Sequence, residues 1–263
     1  MNELEQYFEL NQQRLMHKYP HYFDIYDRYF NSYKGKPVTI VEIGVSHGGS
    51  LQMWKQYFGN QAIIWGIDID PRCKSMEEEN IHILIGSQED PAFLAALFAQ
   101  TGPIDILIDD GGHTQRQQRI SFEHLFKQIK PNGVYLCEDT HTSYWNTYGG
   151  GHKRKDSFTE YAKNLIDLIN AHHSEEPSLQ VTEFTRTANT IHFYDSVIVI
   201  EKKERPAPQP KMTGVPSFPS QPEKKIFLEK IQLHWLLNTN KLLQKMHLPG
   251  YQINRMIELS SKL

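Results

Sequence analysis

Between Val38 and Glu138, five short segments are almost wholly apolar: VTIVEIGV, IIWGIDID, IHILIG, IDILID and GVYLCE. A strand that alternates apolar and polar residues has one wet face. Nearly continuous apolar strands are buried on both faces, the signature of a parallel sheet sandwiched between helices. The strands are expected at Val38–Val45, Ile63–Asp70, Ile81–Gly86, Ile104–Asp109 and Gly133–Glu138. Helical spacing marks Ser50–Phe58, with Ser50 a candidate cap, and Pro91–Gln100, which starts with proline in its first turn. Arg116–Ile129 and Ser157–His172 read as helices too. Strand–helix alternation with short connections predicts an α/β, doubly wound, Rossmann-like sheet.

The pattern changes after His172. Leu179–Arg186 and Ser196–Lys203 read as two further strands joined through Thr187–Asp195 without a helix, so they are expected to pair antiparallel. Five parallel strands plus an antiparallel terminal pair is the layout of a class I methyltransferase sheet. Upstream, residues 1–35 form a helical segment with aromatics at helical spacing, which Pro20 splits in two. The core domain is expected over 36–203. Residues 204–222 hold six prolines and read as a linker. Residues 223–263 form a helical tail whose face carries Phe227, Ile231, Trp235, Leu242 and Met246, followed by Pro249-Gly250 and a short helix. These helical segments are candidates for homo-oligomer contacts.

The net charge of −3 offers no electrostatic case for nucleic acid or an anionic membrane. No apolar run approaches the roughly 20 residues that span a bilayer. The polar N-terminus lacks a signal-peptide core. Cys73 and Cys137 are far apart and belong to no CxxC pair, so a reducing cytoplasm is the expected compartment.

The first strand runs into VEIGVSHGGSLQMW. A dinucleotide turn reads G-x-G-x-x-G and places a pyrophosphate on the next helix. Here the spacing is G-x-x-x-G-G, with Glu42 two positions before Gly44. That acidic residue suits a ligand with a sulfonium and an amino group and no phosphate, which points to S-adenosylmethionine. Glu42, Gly44 and Ser50 are candidate cofactor residues at this turn. Asp68, ending the second strand, is placed to accept ribose hydroxyls, with Asp70 a weaker candidate. Ser87 and Gln88 follow the third strand and face the adenine edge. Asp109 ends the fourth and is a candidate for the cofactor's amino group. His47 in the turn reads as a solvent-facing loop residue at least as well as a contact.

IDILIDDGGHTQ and GVYLCEDTHTSYW deliver Asp109, Asp110, Glu138 and Asp139 to one sheet edge. Bare like charges there would repel. A divalent cation relieves this, and all-oxygen ligands favour Mg²⁺, or Mn²⁺, over zinc. Asp110, Glu138 and Asp139 are the candidate metal ligands. His113, three residues after Asp110, is the candidate base for a hydroxyl whose pKa a metal lowers, and His141 is the alternative. Thr142–Gly151 combines aromatics with three glycines and reads as a mobile lid over a substrate.

With those motifs in view, the sequence resembles the metal-dependent sugar O-methyltransferases of macrolide biosynthesis, the macrocin and mycinamicin type, over roughly Tyr19–Lys203. The motifs that carry the resemblance are EIGVSHGGSLQMW, IDID, DDGGH and CEDTHTSYW followed by YGGG. It implies Mg²⁺ on Asp110, Glu138 and Asp139, His113 as general base, and chelation of two vicinal hydroxyls of a deoxysugar. DDGGH stands where the family usually has DDGSH. The expected function is methylation of a sugar or vicinal-diol hydroxyl in a glycosylated small molecule. The alternatives are a catechol-like acceptor or a non-catalytic adenosylmethionine-binding partner protein.

Overall fold

The computed structural model describes residues 1–218 and 223–246. Two compact units divide the chain, Met1–Pro208 and a second starting at Gln209. The first holds a seven-stranded sheet in the order β3-β2-β1-β4-β5-β7-β6. Its strands are β1 (Val38–Ile43), β2 (Ala62–Asp68), β3 (Ile81–Ile85), β4 (Ile104–Asp109), β5 (Ile129–Cys137), β6 (Ala188–Phe193) and β7 (Ile198–Lys202). β1 to β5 are mutually parallel, and β7 runs antiparallel to both β5 and β6. The doubly wound expectation holds, including its antiparallel terminal pair.

Both sheet faces are covered, as the apolar strands require. On one face, α1 (Glu3–Leu10), α2 (Tyr22–Phe30) and α3 (Gly49–Phe58) bury Leu4, Tyr26, Phe30 and Trp54 against Ile40, Ile64 and Ile106. Trp54 meets the Tyr26 ring edge-on at 5.1 Å, the arrangement aromatic quadrupoles favour. On the other face, α4 (Pro91–Thr101), α5 (Gln115–Leu125) and α6 (Phe158–Asn170) pack Leu94, Phe122 and Phe158 on Val41, Leu107 and Tyr135. The expected N-terminal break is present but wider than a kink at Pro20, since α1 already ends at Leu10 and α2 starts at Tyr22. Residues 11–21 instead cross the front of the β1–α3 turn, with Arg14 bonded to the Met76 carbonyl at 3.0 Å and paired with Glu78 at 3.3 Å.

Three expectations are corrected. Ser50 does not cap α3: Gly48 holds the N-cap position, and the Ser50 hydroxyl turns inward to Glu42. Leu179–Arg186 is not a strand. Its β-branched residues mislead, because Thr182 and Thr185 form a reciprocal capping box that starts a short helix, α7 (Glu183–Thr187). The strand lies just beyond, in the segment assigned to the connection, where Thr190 and His192 both bond Glu201 across the β6–β7 pair. Finally, α5 ends at Leu125 rather than Ile129, and β5 begins at Ile129.

Lys202 secures the turn that follows that helix end. The residue is 6 % exposed, and its ammonium collects the carbonyls of Phe126, Lys127 and Ile129 at 3.1, 3.1 and 2.7 Å. Helix C-termini leave such carbonyls without partners. Lys202→Met is therefore expected to destabilise the unit by about 2–3 kcal/mol, lowering Tm by roughly 5–10 °C in thermal unfolding. An unchanged Tm would show that water replaces the ammonium without cost.

The second unit contains α8 (Glu223–Lys245). Ile231, Trp235, Leu242 and Met246 of the expected apolar face are exposed. The Phe227 side chain, Pro249-Gly250 and the expected short helix lie outside the described residues. No described helix is long and apolar enough to cross a membrane.

Candidate active site

Parallel strands carry their C-terminal ends to one edge, and the switch between β1 and β4 opens a crevice there. It is a cleft of about 390 Å³, a size that suits a small-molecule cofactor. Of the residues expected at the cofactor, Gly44, Ser50, Asp68, Ser87 and Gln88 line it. Asp110, His113 and Asp139 line it as well, as does the crossing segment through Leu15, Met16, His17 and Lys18. Glu42, Asp109 and Glu138 stand behind that lining, each at most 1 % exposed. His47 is exposed and outside the cleft, and Asp70 caps the short 3-10 helix Pro71–Met76.

Gly44 makes the floor. Its φ is +95°, and a Cβ there would lie 1.9 Å from the Asp110 carbonyl oxygen. The first turn thus touches the backbone that carries the acidic edge. Asp68 braces the same turn, its Oδ2 accepting the Val45 and Ser46 N–H groups at 2.9 and 3.0 Å. The Asp68 carboxylate faces both the turn and the cleft. Gln88 is likewise engaged: it donates to Asp109 and Ser121 and accepts the Gly112 N–H at 2.8 Å.

Glu42 points away from the cleft, accepting Ser50 Oγ at 3.0 Å and Trp54 Nε1 at 3.1 Å. Burial pushes its pKa up to about 7, against the opposing pull of Lys18. Burial likewise raises Asp109 to about 7, despite bonds from Gly111 and Gln88.

The acidic edge already holds one cation. Lys18 Nζ lies 2.6 Å from Asp110 Oδ2, 2.8 Å from Glu138 Oε2 and 3.8 Å from Glu42 Oε1, with its side chain 3 % exposed. Burial alone would depress the lysine pKa. The three carboxylates overcome that and hold it well above the usual value. Burial and Asp110 push Glu138 up to about 8. Its Oε1 and Glu42 Oε1 have no hydrogen-bond partner in the interior. A lysine thus neutralises part of the cluster, so like-charge repulsion does not by itself require a metal. Sequence carried no sign of this: a lysine two residues before Pro20, between two helices, reads as solvated.

The open side of the edge is built from Asp110, His113 and Asp139, whose ligand atoms lie within 4.8 Å of one another. His113 Nε2 is 3.5 Å from Asp139 Oδ2 and 3.9 Å from Asp110 Oδ1, while Nδ1 is buried without a partner. His113 and Asp139 both adopt left-handed backbone, with φ of +57° and +52°. Such strain in non-glycine residues concentrates at functional sites. The Thr142 hydroxyl lies 2.8 and 3.0 Å from their carbonyl oxygens and ties the two loops together. Gly112 of DDGGH packs on α5: a Cβ there would meet Gln117 Oε1 at 2.3 Å, so a serine would require Gln117 to move.

The segment after β5 is anchored, not floppy. Ser143 donates to Gln115 Oε1 at 2.8 Å, which also accepts the Phe158 N–H. Gly150 serves close packing, since a Cβ would lie 2.3 Å from the Thr142 carbonyl oxygen. Tyr144 and Trp145 nevertheless stand out, with Trp145 47 % exposed and its ring 4.6 Å from His141. His141 Nδ1 is bonded to Ser196 Oγ.

Sheet order, glycine turn and acidic edge together define a class I methyltransferase fold, and residues 41–140 match the methyltransferase domain family. Curated relatives that the chain matches are named as sugar O-methyltransferases. It is 36 % identical over 196 residues to the 8-demethyl-8-alpha-L-rhamnosyl tetracenomycin-C 2'-O-methyltransferase of Streptomyces olivaceus, covering 69 % of this chain and 50 % of that one. Against the demethylmacrocin O-methyltransferase of Streptomyces fradiae it is 36 % identical over 188 residues, 67 % of this chain and 47 % of the other. The chain thus spans about half the length of the curated relatives it matches. The solved MycE methyltransferase of the mycinamycin pathway, in complex with Mg, SAH and mycinamycin VI, superposes with a TM-score of 0.69. It is 29 % identical, and the match covers 87 % of this chain and 58 % of that chain.

Proposed function

We propose that the chain is an S-adenosylmethionine-dependent, divalent-metal-dependent O-methyltransferase whose acceptor is a sugar hydroxyl with a vicinal partner in a glycosylated small molecule. The observation that carries this reading is the convergence of Asp110, His113 and Asp139 at the mouth of the glycine-turn cleft. The relatives support it, since they are named for rhamnosyl and macrolide sugar methylation. Both cysteines are free thiols, in keeping with a cytoplasmic setting.

The donor set fits a hard divalent ion. Asp110 and Asp139 offer outward carboxylate oxygens, and Glu138 supplies a third carboxylate with an unpartnered Oε1. The cleft fits adenosylmethionine through the open backbone at Gly44, the Asp68 carboxylate, and Ser87 at the β3 end. When bound, the cofactor supplies an electrophilic methyl group and the metal ion lowers the pKa of a hydroxyl it holds. His113, whose Nε2 faces Asp110 and Asp139 at the cleft, is the group placed to accept the hydroxyl proton. Trp145 and Tyr144 give a sugar ring an aromatic surface.

One observation favours a second arrangement of the same site. His113 Nε2 is as close to the two aspartates as a ligand would be, making it a possible third metal donor in place of Glu138. Calorimetric titration with S-adenosylhomocysteine, alone and with Mn²⁺, tests the shared premise. One cofactor site and one metal site are expected. No heat on adding the cofactor product would overturn the reading.

A further inference from the structure

The hydroxyl of Tyr22 lies 2.7 Å from Asp139 Oδ1 and 2.7 Å from Ser196 Oγ. Ser196 Oγ in turn meets His141 Nδ1. Three hydroxyl and imidazole groups and one carboxylate, from three segments of the chain, thus form one chain of contacts. The direction of its protons follows from counting donors. A carboxylate only accepts, so the single Tyr22 proton goes to Asp139. The Tyr22 oxygen then faces Ser196 as an acceptor, and Ser196 gives its proton to Tyr22. Ser196 Oγ consequently accepts from His141, which must carry hydrogen on Nδ1. The opposite orientation, with Ser196 donating to His141, would leave two oxygens 2.7 Å apart with no proton between them.

Burial raises the Tyr22 pKa, so its hydroxyl keeps its proton. Tyr22 follows Lys18 by four residues, and the two side chains grip different members of the acidic edge: Lys18 holds Asp110 and Glu138, Tyr22 holds Asp139. Asp139 is the member with left-handed backbone, at φ +52°. Its Oδ1 faces Tyr22 and its Oδ2 faces His113.

We propose that Tyr22 is a positioning residue of the metal site, the last link of a one-way hydrogen-bond chain His141–Ser196–Tyr22 that fixes Asp139 and turns its Oδ2 toward the metal and His113. The proposal rests on the reading of Asp139 as a metal ligand. It also assigns His141 a structural place in the chain instead of the alternative role of base. Partners that orient a ligating carboxylate typically matter by about 10–100-fold in metal affinity or activity.

The test is Mn²⁺ affinity of the full chain, read by electron paramagnetic resonance in the presence of S-adenosylhomocysteine, with the latter's own affinity and Tm measured alongside. Tyr22→Phe keeps the ring and removes only the hydroxyl. It is expected to weaken Mn²⁺ binding by about 10-fold or more. S-adenosylhomocysteine affinity should stay within about twofold, since Tyr22 does not line the cleft. Ser196→Ala, which cuts the chain one link earlier, is expected to shift Mn²⁺ affinity in the same direction by less, and it carries the test should the tyrosine variant unfold. Mn²⁺ affinity within about twofold of wild type in both variants overturns the positioning role. A wild-type chain that binds S-adenosylhomocysteine and takes up no Mn²⁺ instead removes the metal reading beneath it, a distinct result.

Discussion

His113→Ala is expected to lower methyl transfer by roughly 10²–10⁴-fold while leaving Mn²⁺ affinity within a few-fold of wild type. The expectation follows from the environment of the ring. Nε2 faces two carboxylates and the cleft, while Nδ1 is enclosed without a partner, so only one nitrogen is available to an acceptor hydroxyl. Steady-state rates and metal titration on the same preparation separate the two roles considered for this residue. Loss of rate with metal retained identifies the base. Parallel loss of metal and rate identifies a ligand, and unchanged rates would remove His113 from the mechanism.

Gly44→Ala is expected to have the largest effect on binding. The new methyl group would sit 1.9 Å from the Asp110 carbonyl oxygen, a backbone atom with no freedom to swing aside, at a φ of +95°. Left-handed strain and overpacking together cost about 3–5 kcal/mol. Any relaxation moves the Asp110 strand end, so the cofactor cleft and the acidic edge are disturbed at once. We expect Tm to fall by roughly 10 °C and S-adenosylhomocysteine affinity to drop by at least about tenfold. Gly59→Ala is the control. It shares a positive φ of +86°, yet nothing lies within 4 Å of its Cβ position, so a smaller, purely conformational loss is expected. Equal effects of the two substitutions would show that the contact with Asp110 is unimportant.

The parallel core was legible because burial on both faces leaves a direct trace: β1 to β4 and the second half of β5 are mainly apolar runs, and their ends set the positions of Gly44, Asp68, Asp110 and Asp139. The β6–β7 hairpin was less legible. Its outer strand, ANTIHF, is held by Thr190 and His192 bonding Glu201, while the more strand-like VTEFTR beside it is captured by a local capping box. Propensity lost there to side-chain bonds that only the folded register creates. At the site, the cleft-facing residues follow from strand ends, but whether a side chain faces the cleft or the core does not. Glu42 and Asp109 occupy the expected positions with their carboxylates turned inward, toward Trp54 and Gln88. Lys18, Tyr22 and Ser196 were missed for a different reason. Each reaches the acidic edge from a segment distant in sequence, 92 residues for Lys18 to Asp110 and 117 for Tyr22 to Asp139. No local spacing rule encodes contacts of that range.

Transfer of a labelled methyl group from S-adenosylmethionine to glycosylated acceptors bearing vicinal hydroxyls, with and without EDTA, tests the central claim most directly. Product should form with a sugar acceptor, disappear on chelation and return with added Mg²⁺ or Mn²⁺. Transfer that persists undiminished in EDTA, or its absence from every such acceptor in a protein that binds both cofactor and metal, would contradict it.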